Sequence, residues 1–521
     1  MKKLSANNKI LLSGNEAIGR GAIEAGISLA TSYPGTPATE ILEYLAEHAS
    51  CKVEWAINEK VALETAIGAS YAGKRALVSM KHVGLNVASD ALVTCAYLGV
   101  YGGLVIVVAD DPGAYSSQNE QDSRFYAQFA KIPCLEPADA QEAKDMVKMA
   151  FGLSEKFKLP VIVRSVTRIS HTAMPVSIEE ARQENPLKVT KDPASMIAVP
   201  SHILRLHKIL NEKQPQIIKW GEKSGLNKIL NKGKKKGIIA SGLGADYARE
   251  YGREYSLLKI SFYPFPEKII RQFVKGQKEV WVLEEGEPYV EAIARSYSDK
   301  VKGKLSGDIA REGELGPDIF KKLRAAKSKA VLPKRPPVMC QGCPHRELYL
   351  ALKAAEPAFT TGDIGCYTLG AAPPLSAIDT CLCMGAGLSQ AAGISNQGVK
   401  KVAAVIGDST FLHAGIPALI SAVYNQANML VLILDNSSVA MTGHQPTPLT
   451  GITARGRPGG KVSLEEICKA CGVNSVEVID PFKKEETAAL IKEKINSPGV
   501  NVIISRRPCI LAYRKLRRYN L

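Results

Sequence analysis

Two groups of residues carry the chemistry this sequence can support. In the first, the apolar run VAAVIG ends at Gly407-Asp408-Ser409. After the stretch 410–434, which closes on a second apolar run, MLVLIL, the chain reaches Asp435-Asn436. In an open parallel sheet, ligands collect beyond the carboxyl ends of the strands. The spacing accommodates one helix, read over 414–427, between neighbouring strands. Asp408 and the amide oxygen of Asn436 can then face one hard cation, while Gly407 lets backbone approach a diphosphate. Taken alone, the same pattern also describes an ordinary strand, turn and helix with an aspartate in the turn. In the second group, Cys340-x-x-Cys343 has metal-ligand spacing, Cys366 follows within GDIGCY, and Cys509 lies just past a C-terminal apolar run. The CxxC spacing suits a bound metal, and buried cysteines can equally be plain core thiols.

The elements that must position these residues read as α/β. Strand-like runs at 27–32, 75–80, 104–109 and 160–165 alternate with amphipathic stretches such as EKVALETAIGASYAG (59–73), the pattern of a parallel sheet. The polar, proline-bearing stretch 185–203 reads as a linker, and AAKSKAVLPKRPPVMC (325–340) as a second one. This predicts domains over 1–185, 204–325 and 337–521, the last with strands at 402–406, 429–434 and 502–505. A chain of 521 residues with 45% hydrophobic content is long enough for such a division and is not a disordered polymer. The formal charge of +16 attracts polyanions, but no zinc-finger, RNP or helix-turn-helix pattern accompanies it and aromatics are 6%, so nucleic acid is not expected as a partner. The N-terminus lacks the apolar core of a signal peptide and no apolar run approaches bilayer length, so the expectation is a cytoplasmic protein with no membrane contact. In that compartment the 11 cysteines are expected as thiols or metal ligands. Cys468-x-x-Cys471 sits at helical spacing, and Cys381 and Cys383 lie in a strand-like run; all four are expected to be structural.

The motifs resemble the thiamine-diphosphate enzymes, whose binding signature is GDG followed some distance on by NN. Ser409 and Asp435 depart from that signature. One branch is matched much more fully: the 2-oxoacid:ferredoxin oxidoreductases, and within them the indolepyruvate-type large (alpha) subunits. The resemblance rests on GNEAIGRGAIEAG (14–26), YPGTPATE (33–40), NEKVALE (58–64), MKHVGLN (80–86) and DDPGAYSSQNEQD (110–122). It continues through CQGCPHR (340–346), GDIGCYTLG (362–370), GDSTFLHAGI (407–416) and DNSSVAMTGHQPTP (435–448), spanning nearly the whole chain.

The resemblance implies a thiamine-diphosphate-binding fold, with a pyrimidine-type and a diphosphate-type parallel-sheet domain flanking a transketolase-C-terminal-like α/β domain. It implies oxidative decarboxylation of a 2-oxoacid, an aryl pyruvate such as indolepyruvate, to acyl-CoA and CO2, with electrons leaving through an iron–sulfur cluster to ferredoxin. Glu59 is then the glutamate that hydrogen-bonds the aminopyrimidine; outside the motif it would read as an acidic residue favoured at a helix N-terminus. Thr36 matches a substrate-contacting threonine, or else caps the next turn. Lys81 and His82 follow a strand end and can bind the substrate carboxylate or a developing oxyanion, with Arg124 a weaker choice. Asp408, Asn436 and the Ser438 carbonyl are expected to hold Mg²⁺. Backbone at Gly362, Asp363, Ile364, Gly365, Gly385, Gly387, Gly407 and Ser409 is expected to meet the diphosphate. Cys340, Cys343, Cys366 and Cys509 are expected to hold one [4Fe–4S] cluster.

Members of the family work with a small beta subunit, which implies an alpha2beta2-type heteromer, and usually continue past the RRPC segment into a ferredoxin-like domain. The present sequence ends at Leu521 without that motif, so a ferredoxin or separate ferredoxin-like subunit is the expected acceptor. The basic tail around Cys509, with Arg514, Lys515, Arg517 and Arg518, is expected to dock it. The rival readings are a non-oxidative thiamine-diphosphate decarboxylase or carboligase, which needs no cluster, and a catalytically silent binding scaffold.

Overall fold

The computed structural model describes residues 9–189, 191–323 and 338–512. The chain divides into two compact units, 1–331 and 332–521. The first carries a seven-stranded sheet in the order Phe262–Tyr263, Cys134–Leu135, Val161–Val166, Leu104–Asp110, Ala76–Lys81, Leu29–Ser32, Lys52–Trp55. All of its pairings are parallel except that of the two-residue edge strand Phe262–Tyr263. Leu104–Asp110 and Val161–Val166 are buried at every position, as central parallel strands covered on both faces must be.

The same unit holds a five-stranded sheet, Val301–Lys302, Glu279–Leu283, Lys236–Ser241, Ser256–Ile260, Lys228–Leu230, with only the last strand antiparallel. Directly after Ser256–Ile260 the chain supplies the edge strand Phe262–Tyr263 to the larger sheet, so the two sheets within this unit are joined by backbone pairing. The stretch 185–203, expected as a linker, instead contains the helix Pro193–Met196 and the start of the long helix Pro200–Ser224. Both begin on proline, whose fixed φ and missing N–H suit the first helical turn, so a residue read as a breaker acts as a start signal.

The second unit is built on a five-stranded, wholly parallel sheet ordered Phe359–Thr361, Val402–Gly407, Met429–Asp435, Val500–Arg506, Ser475–Ile479. Alternate residues of its strands enter different cores: Val402, Ala404 and Ile406 pack into one, Ala403 and Val405 into the other. The first four of these strands end at Gly362, Asp408, Asn436 and the approach to Cys509, so both sequence-predicted groups of functional residues gather beyond one edge of one sheet.

The helix expected over 414–427 differs. The turn Phe411–Gly415 is π-type, with the Ile416 N–H bonded back to the Phe411 carbonyl, and the regular helix is Ile416–Tyr424. Pro417 has no N–H to give the His413 carbonyl, which leaves the regular ladder incomplete at that turn. Cys381 and Cys383 correct another expectation: they lie outside any strand and are exposed, whereas Cys468 is buried on the helix Leu464–Ala470. No helix among the described residues is long and apolar enough to cross a membrane.

Candidate active site

Each unit carries its own group of candidate site residues. In the first unit, Asn58 caps the helix Glu59–Tyr71 by accepting the Val61 N–H at 2.8 Å, which makes Glu59 its first residue. Glu59 is buried at 4% exposure. The next helix, His82–Leu98, passes so close that a β-carbon on Gly84 would lie 2.5 Å from Oε1 of Glu59. Glycine at this position gives the carboxylate its room.

Lys81 ends the strand Ala76–Lys81, and its Nζ donates to the Ser116 carbonyl at 2.8 Å. Burial pulls its pKa down to about 8, against the opposing attraction of Asp111 and Glu59. Ser116 Oγ also donates to the Thr36 carbonyl at 3.2 Å, and the Gly35 backbone packs on the Lys81 stem. Thr36, Lys81 and Ser116 are thus brought together. Ser116 is itself pinned by Asp111, which accepts from its N–H at 2.8 Å, from Ser117 Oγ at 2.8 Å and from Thr167 Oγ1 at 2.7 Å. Burial opposes the Asp111 charge, but these hydrogen bonds and Lys81 outweigh it and hold the carboxyl below its usual range.

His82 is buried, with Nε2 3.1 Å from the Asn119 carbonyl and Nδ1 without a partner among the described residues. Burial lowers its pKa, leaving the neutral ring. Arg124 is not a substrate-binding group. It is fully enclosed, donating to Asp122 at 2.9 Å, Glu284 at 2.8 Å and the carbonyls of Glu285 and Glu287 at 2.9 Å. With no free donor direction it ties the two sheets of the first unit together.

In the second unit, Asp408 is buried; Oδ1 accepts the Ser409 N–H at 2.7 Å and Oδ2 the Ser437 N–H at 3.0 Å. Burial and the neighbouring Asp435 carboxylate push its pKa well above the usual range. Asp435 is held by Arg506 at 2.7 Å, and Arg506 grips Glu465 with both terminal nitrogens at 2.7 and 2.9 Å. Asn436 Oδ1 accepts from the Ser438 N–H at 3.1 Å, while Nδ2 lies 3.4 Å from Nε2 of His345. Burial takes the His345 pKa down to about 4, so the ring is neutral. Hard oxygens crowded at a buried carboxylate are the donor set of a small divalent cation, and Asp408, Asn436 and Ser438 fit one.

The glycines divide by role. Gly407 is required because a β-carbon would meet the Tyr367 ring at 2.4 Å. The Tyr367 hydroxyl donates to the Ile364 carbonyl at 2.7 Å and lies 2.9 Å from Thr410 Oγ1. Asp363 accepts the N–H groups of Ile364 and Gly385 at 2.8 Å and of Gly387 at 3.0 Å. Burial lifts its carboxyl to about 6 against those bonds. Asp363 therefore takes the Gly385 and Gly387 donors that were expected to meet a diphosphate. Gly362 lies against Ile378, and its N–H goes to the Thr380 carbonyl at 2.7 Å; the Gly365 N–H goes to Thr368 Oγ1 at 3.0 Å.

Cys340 is exposed; Cys343, Cys366 and Cys509 are half-buried. Burial and the nearness of Cys509, Cys343 and Cys340 push Cys366 up to about 12, so the four thiols share one neighbourhood. Among the described residues, no three His, Cys, Asp or Glu side chains converge as they would on a single metal ion. The basic tail 513–521 and most of the second expected linker, 324–337, lie outside the described residues. Sequence reasoning missed His345, Tyr367, Thr410, His444 and the Asp435–Arg506 pair. His345 carried a signal through its place beside the CxxC pair, and Tyr367, Thr410, His444 and Asp435 through the quoted motifs that contain them.

Residues 20–218 match the pyruvate flavodoxin/ferredoxin oxidoreductase thiamine-diphosphate-binding domain, and residues 363–505 the C-terminal domain of thiamine pyrophosphate enzymes. A solved 2-oxoglutarate:ferredoxin oxidoreductase from Magnetococcus marinus has the same fold, with a TM-score of 0.51 and 19% identity over 61% of this chain and 65% of that one. Fold and site together define the large subunit of a thiamine-diphosphate-dependent 2-oxoacid:ferredoxin oxidoreductase. Indolepyruvate oxidoreductase subunit IorA of Archaeoglobus fulgidus is 42% identical over 98% of this chain and 88% of its own length. Subunit IorA of Pyrococcus abyssi is 41% identical over 98% and 87%. The chain belongs to the IorA family.

Proposed function

We propose that this chain, with a small second subunit in an alpha2beta2-type heteromer, oxidatively decarboxylates an aryl pyruvate, indolepyruvate foremost, in the cytoplasm. Coenzyme A takes the acyl group and a ferredoxin the electrons. Thiamine diphosphate, when bound, supplies the carbon that attacks the 2-oxo group and retains the electrons left by CO2, and a [4Fe–4S] cluster carries them away singly. Glu59 hydrogen-bonds the aminopyrimidine from its buried helix terminus. Lys81 offers an ammonium to the substrate carboxylate, steadied by Ser116, with Thr36 beside it. His82, neutral, gives its one N–H from Nε2 to the Asn119 carbonyl, which leaves Nδ1 to accept a hydrogen bond from a donor on substrate or cofactor. Asp408, Asn436 and the Ser438 carbonyl hold Mg²⁺. Cys340, Cys343, Cys366 and Cys509 would hold the cluster.

The observation that carries the oxidative reading is the nearness of Cys509, Cys343 and Cys340 to Cys366 on the sheet edge that also bears Asp408 and Asn436. A decarboxylase or carboligase has no use for four such thiols. Anaerobically purified protein should contain stoichiometric iron and sulfide and reduce ferredoxin when given indolepyruvate and coenzyme A. Thiamine-diphosphate binding and CO2 release without iron would establish the non-oxidative alternative instead.

A further inference from the structure

We infer that His444 donates a hydrogen bond from Nε2–H to Sγ of Cys509 and thereby raises the reduction potential of the iron–sulfur cluster. The inference rests on the reading above, in which Cys509 is a cluster ligand. The two atoms are 3.6 Å apart, a hydrogen-bonding distance for sulfur. An iron-bound thiolate carries no proton, so it can only accept, and the imidazole must present N–H at Nε2.

The turn that carries His444 is built to hold it there. Val439 and Gln445 pair across its base, with the Val439 N–H on the Gln445 carbonyl at 3.0 Å and the His444 N–H on the Val439 carbonyl at 2.9 Å. Buried Gln445 braces the tip, giving Nε2–H to the Thr442 carbonyl at 2.9 Å and accepting Thr442 Oγ1 at 2.5 Å. His444 itself has φ of 65°, in the left-handed region that a histidine enters at a cost. That cost is met by the surrounding bonds and aims the ring at the sulfur. The opposite side is equally fixed: the Cys509 N–H is bonded to the Asn436 carbonyl at 3.1 Å, and its own carbonyl accepts from Ala512 at 3.1 Å.

A donor on a ligand sulfur favours the reduced, more negative cluster, so it eases acceptance of each electron. His444 is in this sense a positioning and tuning residue; it touches neither substrate nor thiamine.

The test uses anaerobically purified holoprotein, with iron and sulfide assayed first. The midpoint potential, followed by EPR, should move to more negative values in His444→Leu and return towards wild type in His444→Gln, which restores a donor. Equal potentials in wild type and a fully loaded His444→Leu would overturn the inference. Should His444→Leu fail to hold its cluster, pulsed EPR of reduced wild type labelled with ¹⁵N-histidine decides: a ¹⁵N coupling to the cluster supports the bond, and its absence overturns it. Wild type devoid of iron and sulfide, or a cluster indifferent to Cys509→Ser, would instead overturn the reading beneath it.

Discussion

The backbone N–H of Cys509 donates to the carbonyl of Asn436 at 3.1 Å, one step beyond the bond from Arg507 N–H to the Asp435 carbonyl at 2.9 Å. The pairing of two parallel strands thus runs on past their ends and joins a thiol to the cation-type motif. Two more cysteines adjoin that motif through their neighbours in sequence. His345, two residues after Cys343, faces the Asn436 amide at 3.4 Å, and Tyr367, next to Cys366, lies on Gly407 and Thr410. Thiols and oxygen donors therefore share one packed wall in the second unit.

His345→Leu tests that wall. The substitution leaves the buried Asn436 amide without its ring partner, a loss of about 1–3 kcal/mol. Thermal unfolding of the unliganded chain should fall by that loss, and thiamine diphosphate with Mg²⁺ should bind more weakly in direct calorimetry, because the Asn436 side chain is no longer held in place. Unaltered affinity would show that Asn436 is oriented by other contacts.

Gly84→Ala addresses Glu59 without touching its chemistry. The added methyl would press on Oε1 from 2.5 Å and displace the carboxylate. Turnover should fall by about 100-fold or more, the range for a lost acid–base contact, with cofactor affinity kept. Glu59→Gln should do the same, and the double variant should be no slower than the worse single one, because both remove one interaction. Additive losses would place the effect elsewhere.

The fold class was readable because fully apolar strands announce a parallel sheet; Asp408 and Glu59 fall where strands lead into helices, and Asn436 just past a strand end. Other features depend on contacts between distant segments and leave no local mark. Gly407 reads as a diphosphate glycine, yet the Tyr367 ring is what excludes a side chain there. Asp363 reads as part of a cofactor loop, yet its carboxylate consumes the Gly385 and Gly387 donors. Arg124 is a weaker choice for the substrate carboxylate by resemblance, while its enclosing partners Glu284, Glu285 and Glu287 follow a strand of another sheet. Pro200, read as part of a linker, instead opens a helix, and Pro417, read inside a helix over 414–427, stands at the start of a shorter one.

Lys81 gives the site a pH dependence of known sign. With a folded-state pKa of about 8, below the usual value for lysine, the ammonium is lost as pH rises through 8. Asp111 and Glu59 are the charges facing it. KM for the 2-oxoacid should therefore climb above pH 8 in wild type and stay flat in Lys81→Met, whose KM is high throughout. The linkage to stability runs the other way: the buried charge costs stability below pH 8, and the cost fades as the folded form deprotonates while the unfolded lysine stays protonated. Lys81→Met should thus be the more stable protein at pH 7, and a wild-type KM independent of pH to 9 would remove Lys81 from carboxylate binding.

Glu285 sets a second pH dependence, in stability alone. Its carboxyl is 2% exposed, with Oε1 accepting the Leu315 N–H at 3.0 Å and Oε2 unpartnered among the described residues. Burial pushes its pKa up to about 7, with the Leu315 bond and the Arg164 and Lys304 charges opposing and Glu314 adding to the rise. An acid whose folded pKa exceeds its unfolded one binds its proton more tightly when folded, so stability is lost as pH rises from about 4.5 and the full cost is present above 7. Glu285→Gln keeps the shape of the neutral acid and removes the ionisation. It should stabilise the protein by about 1–3 kcal/mol in urea unfolding at pH 8 and by almost nothing at pH 4. The gain must shrink steadily between those limits, since the wild-type carboxyl is by then already protonated in the fold; a gain equal at both pH values would mean that packing, and not the buried charge, is what the substitution relieves.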